Sequence, residues 1–86
     1  MKQLERVLKA AGNRRRLAII AYLKNHKEAS VGDIAAAIKL SFRATSKHLI
    51  ILFGADILER EQRSLQMFYR LSDAPTRTIR TIVQLV

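Results

Sequence analysis

The sequence predicts a mainly α-helical fold with a small β-hairpin. Apolar residues recur at helical spacing along most of the chain, whereas residues 66–71 alternate with a period of two. With 86 residues the chain forms one small core, to which a partner subunit would add buried surface. We therefore expect residues 1–86 to form a single α+β domain whose size is consistent with dimerisation.

Short apolar stripes predict the first two helices. The stripe of the first helix comprises Leu4, Val7, Leu8 and Ala11. Gly12 and Asn13 are expected to end this helix and to cap the next one. The second helix is expected over residues 14–25, and its buried stripe comprises Leu17, Ile20, Ala21 and Leu23.

Two further helices are separated by only a few residues. Ser30 and Asp33 have the spacing of a capping box, in which each side chain reaches the backbone amide of the other. The helix that follows is expected to end near Ile38. Ser41 is a good cap for the next helix, which begins near Phe42. A helix, a tight turn and a second helix form a helix-turn-helix.

The helix that begins at Phe42 combines a buried face with a polar, cationic one. The buried face comprises Thr45, His48, Leu49 and Leu52. The outward face comprises Phe42, Arg43, Ser46 and Lys47. No acidic residue occurs from Ile34 to Ala55, so these cations and Lys39 meet a phosphate without an opposing charge. The pattern predicts a helix that enters the major groove of double-stranded DNA.

The segment after Asp56 predicts a hairpin and a last helix. Two strands are expected to meet at a tip around residues 62–64, where Arg60 and Arg63 make the hairpin basic and suited to backbone phosphate or the minor groove. Asp73 is expected to cap the last helix, with Pro75 in its first turn. The apolar stripe of that helix comprises Ile79, Ile82, Val83 and Val86.

Composition limits the classes of function. A net charge of +9 favours polyanionic partners, although basic charge also suits an acidic protein or an anionic membrane surface. The absence of cysteine excludes disulfides, thiolate metal sites and cysteine nucleophiles. Three scattered glycines and two isolated histidines supply neither a phosphate-binding loop nor a nucleophile with its base, so we expect no enzyme.

The sequence also predicts where the protein is found in the cell. No apolar segment is long enough to span a bilayer, and the amino terminus lacks the apolar core of a signal peptide. We therefore expect a cytoplasmic protein with no membrane partner.

Three segments resemble the ArsR family of bacterial and archaeal winged-helix regulators. They are VLKAAGNRRRLAIIAYL at residues 7–23, VGDIAAAIKLSFRATSKHLIIL at residues 31–52 and FYRLS at residues 68–72. With the order of elements, the resemblance covers nearly the whole chain and implies a winged helix-turn-helix. It further implies a symmetric dimer, built from the first and last helices, that occupies an inverted-repeat operator and blocks transcription until an effector weakens binding.

The resemblance also implies which residues act. By position, the DNA-contacting residues would be Ser41, Phe42, Arg43, Ser46, Lys47 and His48 on the helix, Arg60 and Arg63 on the wing, and Arg16, which matches an arginine typical of the family. The dimer contacts would be Leu4, Val7, Leu8, Ile79, Ile82, Val83 and Val86. His48 lies toward the buried side, which favours a structural histidine that also reaches a phosphate.

The metal sites known in the family are missing. Ser30, Val31 and Gly32 stand where many members carry a Cys-Val-Cys segment, and residues 74–86 contain no histidine or acidic residue. We therefore expect no metal and no cofactor. The sequence does not identify the effector. A non-metal ligand, a partner protein, temperature and the absence of any effector are all compatible with it.

Other departures leave alternatives open. Asp56 and Ser64 stand where the family favours glycine; a left-handed backbone costs aspartate less than most residues. Ile50 and Phe53 stand where the family often has charged residues. Three roles are open for them: packing under the wing, contact with a second subunit, or one wall of an apolar effector pocket. Arg14 and Arg15 are either phosphate contacts or a solvated charge run.

For the whole domain, the alternatives to a regulator are a docking module for other proteins and a DNA-coating protein without sequence preference.

Overall fold

The computed structural model describes all 86 residues and confirms the predicted α+β class. Its elements are α1 (Lys2–Ala11), α2 (Arg14–Lys24), β1 (Ala29–Ser30), α3 (Val31–Ile38), α4 (Phe42–Gly54), β2 (Leu58–Arg63), β3 (Gln66–Leu71) and α5 (Arg77–Leu85). The helix-turn-helix is formed by α3 and α4, and the hairpin of β2 and β3 stands beside it as the wing. None of the five helices combines the length and the apolar composition needed to cross a bilayer.

Polar side chains begin α2, α3 and α4 at the predicted places. The Asn13 side chain accepts hydrogen bonds from the amides of Arg15 and Arg16, and Ser41 Oγ accepts one from the amide of Ala44 at 3.1 Å. Ser30 Oγ likewise accepts from the amide of Asp33, but the reciprocal bond of a capping box is not formed. These local bonds satisfy amides that have no partner within the helix, which fixes where each helix starts.

The core lies between the helices and the inner face of the sheet. Leu49 and Leu52 of α4 are fully buried there, as predicted, together with Ile20 and Leu23 of α2. One prediction for α2 was wrong: Leu17 is 37% exposed, and its unpredicted neighbour Ile19 is fully buried. Leu17 lines an open groove between α1, α2 and α5 and does not enter the core.

The sheet has three antiparallel strands in the order β1, β3, β2. The sequence did not predict β1, because a strand of two residues is too short to show a period. The predicted tip was also misplaced, since Gln62 and Arg63 still pair with Met67 and Gln66. The turn consists of Ser64 and Leu65, with Ser64 in the left-handed region at φ 57°.

Two more non-glycine residues adopt a left-handed backbone, and both end helices. Asp56 has φ 63° after α4, which confirms the conformation expected for it. Lys39 has φ 57° after α3, and its amide donates to the carbonyls of Ala35 and Ala36. This closure ends α3, and only three residues connect it to α4, which packs against it.

The start of the last helix differs from the prediction. Asp73 does not cap it; its amide instead donates to Glu59 Oε2 at 2.9 Å, which keeps this segment on the wing. The helix begins after Pro75 with Thr76 as its cap, whose hydroxyl accepts from the amide of Ile79. Proline disfavours helical geometry in the residue before it, here Ala74, which explains why Asp73 does not cap a helix that begins there.

Thr45 provides a test of the packing beneath α4. Its side chain is completely buried, and its hydroxyl has no hydrogen-bond partner. Because a buried hydroxyl without a partner is destabilising, we expect Thr45→Val to raise the free energy of unfolding by about 1 to 2 kcal/mol. Urea unfolding measures this difference.

The matched control is Thr45→Ser, which keeps the hydroxyl and removes the methyl group, and is expected to lower stability by about 1 kcal/mol. A loss of stability in Thr45→Val would show that the hydroxyl does have a partner.

Candidate nucleic-acid interface

The outward face of α4 is formed by side chains that the core does not use. Phe42, Arg43 and Lys47 are exposed, and Ser46 is half-buried beside them. The opposite face is anchored by the buried Thr45, Leu49 and Leu52. Because helical spacing separates the two sets, α4 is held by one face and presents the other to solvent.

The cations on this face carry no intramolecular ion pair. The salt bridges of the chain involve Lys9 on α1 and Arg63 and Arg70 on the wing, whereas Arg43 and Lys47 form none. The nearest acidic residues in sequence are Asp33 and Asp56, beyond the two ends of the acid-free stretch. Both cations are therefore available to an anionic partner.

His48 lies at the boundary between the two faces and is joined to α2. Arg16 Nε donates a hydrogen bond of 3.1 Å to His48 Nδ1. The same guanidinium donates through Nη1 to the carbonyls of Lys9 and Ala10, at 3.4 Å and 3.3 Å, near the end of α1. One side chain thus ties together α1, α2 and α4.

This hydrogen bond fixes the protonation of the imidazole ring. Since Arg16 donates to Nδ1, that nitrogen carries no proton, and the neutral ring holds its proton on Nε2. The pKa of His48 is lowered by partial burial and, secondarily, by the positive charges of Arg16 and Arg15. His48 therefore remains neutral at neutral pH, with one N–H group left to donate.

Arg16, which the resemblance implies as a DNA contact, is hydrogen-bonded within the chain. Its guanidinium is turned inward to His48 and to the end of α1 and is only partly accessible. Arg14 and Arg15, which precede it, are exposed. Sequence reasoning missed this because the partner of Arg16 is 32 residues away.

Arg60 connects the wing to the end of α4. Its guanidinium lies 3.9 Å from the centre of the Phe53 ring, and it donates to the Tyr69 hydroxyl at 3.4 Å. Phe53 is half-buried against the core, so it packs under the wing, which was one of the alternatives given for it. Ile50 is 52% exposed and takes no part in this packing. The contact holds Arg60 at the surface beside α4.

The wing is less basic than its arginines suggested. Arg63 pairs with Glu28 and with Glu61, and Arg70 pairs with Glu59 at 3.1 Å. The hydrogen bonds with Arg63 lower the pKa of Glu28 and Glu61, and those of the carboxylates raise the pKa of Arg63. A phosphate would have to compete with two carboxylates for Arg63.

A second exposed surface lies on α1 and α5. Leu8 and Leu85 are 52% and 81% exposed, and an open groove between α1, α2 and α5 continues their apolar surface. Val7 and Ile79, two of the residues implied for a dimer contact, are buried inside the chain instead. The exposed or half-buried members of that set are Leu4, Leu8, Ile82, Val83 and Val86.

No group of three or more His, Cys, Asp or Glu side chains is arranged to hold a metal ion. The two histidines are separate: His26 stacks on Tyr22 at 3.9 Å between ring centroids, while His48 bonds to Arg16.

The bond between Arg16 and His48 predicts a pH dependence of folding. The unfolded chain protonates His48 near its ordinary pKa of 6.5, whereas the folded chain resists protonation because its pKa is lower. As the pH falls toward 6.5 and below, His48 binds more protons in the unfolded state than in the folded state. The free energy of unfolding therefore decreases as the pH decreases. We expect the free energy of unfolding to drop between about pH 7 and about pH 5.5, and to drop less in His48→Gln.

His26→Gln is the control and should retain the full drop. The glutamates with lowered pKa titrate below 4.5 and therefore outside this window. Equal losses in the native chain and in His48→Gln would contradict the assignment.

Comparison with known proteins agrees with this architecture. A family model described as bacterial regulatory protein, arsR family, matches residues 13–60. The transcriptional activator HlyU of Vibrio cholerae is 33% identical over 73 residues, which cover 85% of this chain and 67% of that protein. These relatives are transcription regulators and not enzymes.

Solved structures show the same fold. The structure of HlyU from Vibrio cholerae matches with a TM-score of 0.82 and 30% identity, covering 98% of this chain and 87% of its own. The homodimeric winged helix-turn-helix DNA-binding domain Mb0332 of Mycobacterium bovis matches with a TM-score of 0.82 and 27% identity, covering 98% and 74%. The chain therefore belongs to the ArsR family of winged helix-turn-helix DNA-binding transcription regulators.

Proposed function

We propose that the chain is a dimeric repressor that binds an inverted-repeat operator with α4 in the major groove. The observation that carries the proposal is the outward face of α4, where Arg43 and Lys47 are exposed and unpaired within an acid-free stretch. A cationic helix face of this kind fits the groove and its flanking phosphates.

The placement of each side chain favours a division of roles. The amino-terminal residues of such a helix contact base edges, and Arg43 suits a bidentate contact to guanine, with Ser41 and Ser46 beside it. Lys47, further along α4, suits a backbone phosphate. The remaining N–H of His48 suits another, as a neutral donor.

On the wing, Arg60 is the better placed of the two arginines for a phosphate. It is held at the surface by Phe53 and Tyr69, neither of which neutralises its charge. Arg63 would contribute only by exchanging Glu28 or Glu61 for the phosphate. Arg16 would act indirectly, by holding His48.

The apolar surface of α1 and α5 supports a symmetric dimer. It contains Leu8 and Leu85, which a single chain leaves in water, and the groove that they border lies along both helices. The related domain Mb0332 is described as homodimeric. Two copies joined at this surface would place two α4 helices on successive major grooves, about one helical turn of DNA apart.

Repression requires only that the dimer occupy promoter DNA, whereas activation requires a further contact or the removal of a competitor. HlyU of Vibrio cholerae is named an activator, so the direction of regulation calls for its own test. A promoter fused to a reporter and carrying the bound site should be silenced by the chain. Increased expression from the same promoter would show activation.

Substitutions on α4 test the DNA contacts, with a duplex enriched from a random pool as the probe. Arg43→Ala should relax base preference at one position by about 1 to 3 kcal/mol. Lys47→Ala should weaken binding to all sequences alike. It should also reduce by about one the salt slope, which is the slope of log binding constant against log salt concentration. Titrations at several salt concentrations measure both effects.

Lys2→Ala removes an exposed cation from α1 and serves as the control, with no expected change in base preference. If neither substitution on α4 alters DNA affinity, α4 is not the contact surface, and a docking function for proteins gains support.

A charge introduced into the apolar surface tests the dimer. Leu8→Glu should give a monomer in sedimentation equilibrium, because a buried unpaired carboxylate opposes association. Leu65→Glu is the matched control, since Leu65 is 97% exposed at the tip of the wing and should leave the dimer intact. A Leu8→Glu protein that remains dimeric would place the contact elsewhere.

A further inference from the structure

Phe42, the first residue of α4, is an aromatic side chain that the fold leaves in solvent. It is 63% exposed and belongs neither to the core nor to the half-buried residues packed against it. The other two phenylalanines are covered by arginines, Phe53 by Arg60 and Phe68 by Arg63. Packing within the chain therefore does not account for a phenylalanine at position 42.

The surroundings of Phe42 suit a polyanion that also offers apolar groups. Arg43 follows it directly, and both residues are exposed at the start of α4. The hydrogen bond from the amide of Ala44 to Ser41 Oγ fixes the first turn of the helix, and with it the position of Phe42. An apolar ring thus stands within the acid-free cationic face.

The major groove of DNA offers an apolar group to such a ring. Each thymine carries a C5 methyl group there, and phenylalanine is among the side chains that contact it. Since the amino-terminal residues of a recognition helix lie against base edges, the first residue of α4 is placed to reach one.

We propose that Phe42 contacts the C5 methyl group of a thymine and thereby makes the chain prefer an A·T pair at one position of each half-site. This inference rests on the proposed function, because it requires α4 to lie in the major groove.

The position of Arg43 predicts where that base pair lies in the half-site. Consecutive Cα atoms are about 3.8 Å apart, close to the rise of about 3.4 Å between base pairs. If Arg43 contacts a guanine, Phe42 therefore reaches a base pair next to it or one further along. The half-site selected by the chain should contain a thymine beside a guanine or within two positions of it.

Replacing thymine by deoxyuridine isolates the contact, since it removes only the methyl group and keeps the base pair. The probe is the duplex enriched from a random pool, with one thymine of a half-site replaced at a time. At one position the native chain should bind about three- to fivefold more weakly, the effect of exposing one buried methyl group. Replacement of the other thymines of the same half-site should have no effect.

Phe42→Ala completes a double-mutant cycle. This variant should bind the enriched duplex more weakly and should no longer distinguish thymine from deoxyuridine at the sensitive position. Its salt slope should equal that of the native chain, because no charge is removed. Its thermal unfolding midpoint should also be unchanged, since Phe42 is exposed.

The outcomes separate the two proposals. If deoxyuridine has no effect at any position, or if Phe42→Ala retains the full loss, Phe42 does not contact a methyl group, while the proposed DNA-binding function stands. If the random pool yields no bound duplex, the proposed function itself fails and this inference fails with it.

Discussion

The hydrogen bond from Arg16 to His48 is the interaction on which the arrangement of the helices depends. It joins α2 to α4, and the other contacts of the same guanidinium, with the carbonyls of Lys9 and Ala10, hold the end of α1. A movement of α1 relative to α4 would break a bond to a partly buried, charged donor, which is more costly than breaking a bond between neutral groups. One side chain therefore bonds to both the helix proposed to form the dimer and the helix proposed to contact DNA.

The wing and α4 differ in whether their cations are paired with carboxylates. On the wing, Arg63 and Arg70 are largely compensated by Glu28, Glu59 and Glu61. On α4 the cations are left unpaired. A net charge of +9 indicated a polyanionic partner, and the ion pairs show that Arg63 and Arg70 are less available to it than Arg43 and Lys47.

Local signals predicted the fold well, and distant contacts account for what they missed. The caps at Asn13 and Ser41 and the left-handed Asp56 were predictable, because each depends on a few neighbouring residues. Strand β1 and the inward place of Arg16 depend on partners far along the chain. The outward face of α4 was predicted from periodicity alone. Its freedom from ion pairs became clear only once the acidic residues had been placed.

We propose above all that two copies of this chain present two α4 helices to one symmetric DNA site. The most direct measurement is selection from a random duplex pool at near-physiological salt, followed by the stoichiometry of the complex with the enriched sequence. An inverted repeat with half-site centres about one helical turn apart, bound by two chains, is the predicted result. Salt-sensitive binding without an enriched sequence would contradict the claim and indicate a protein that coats DNA.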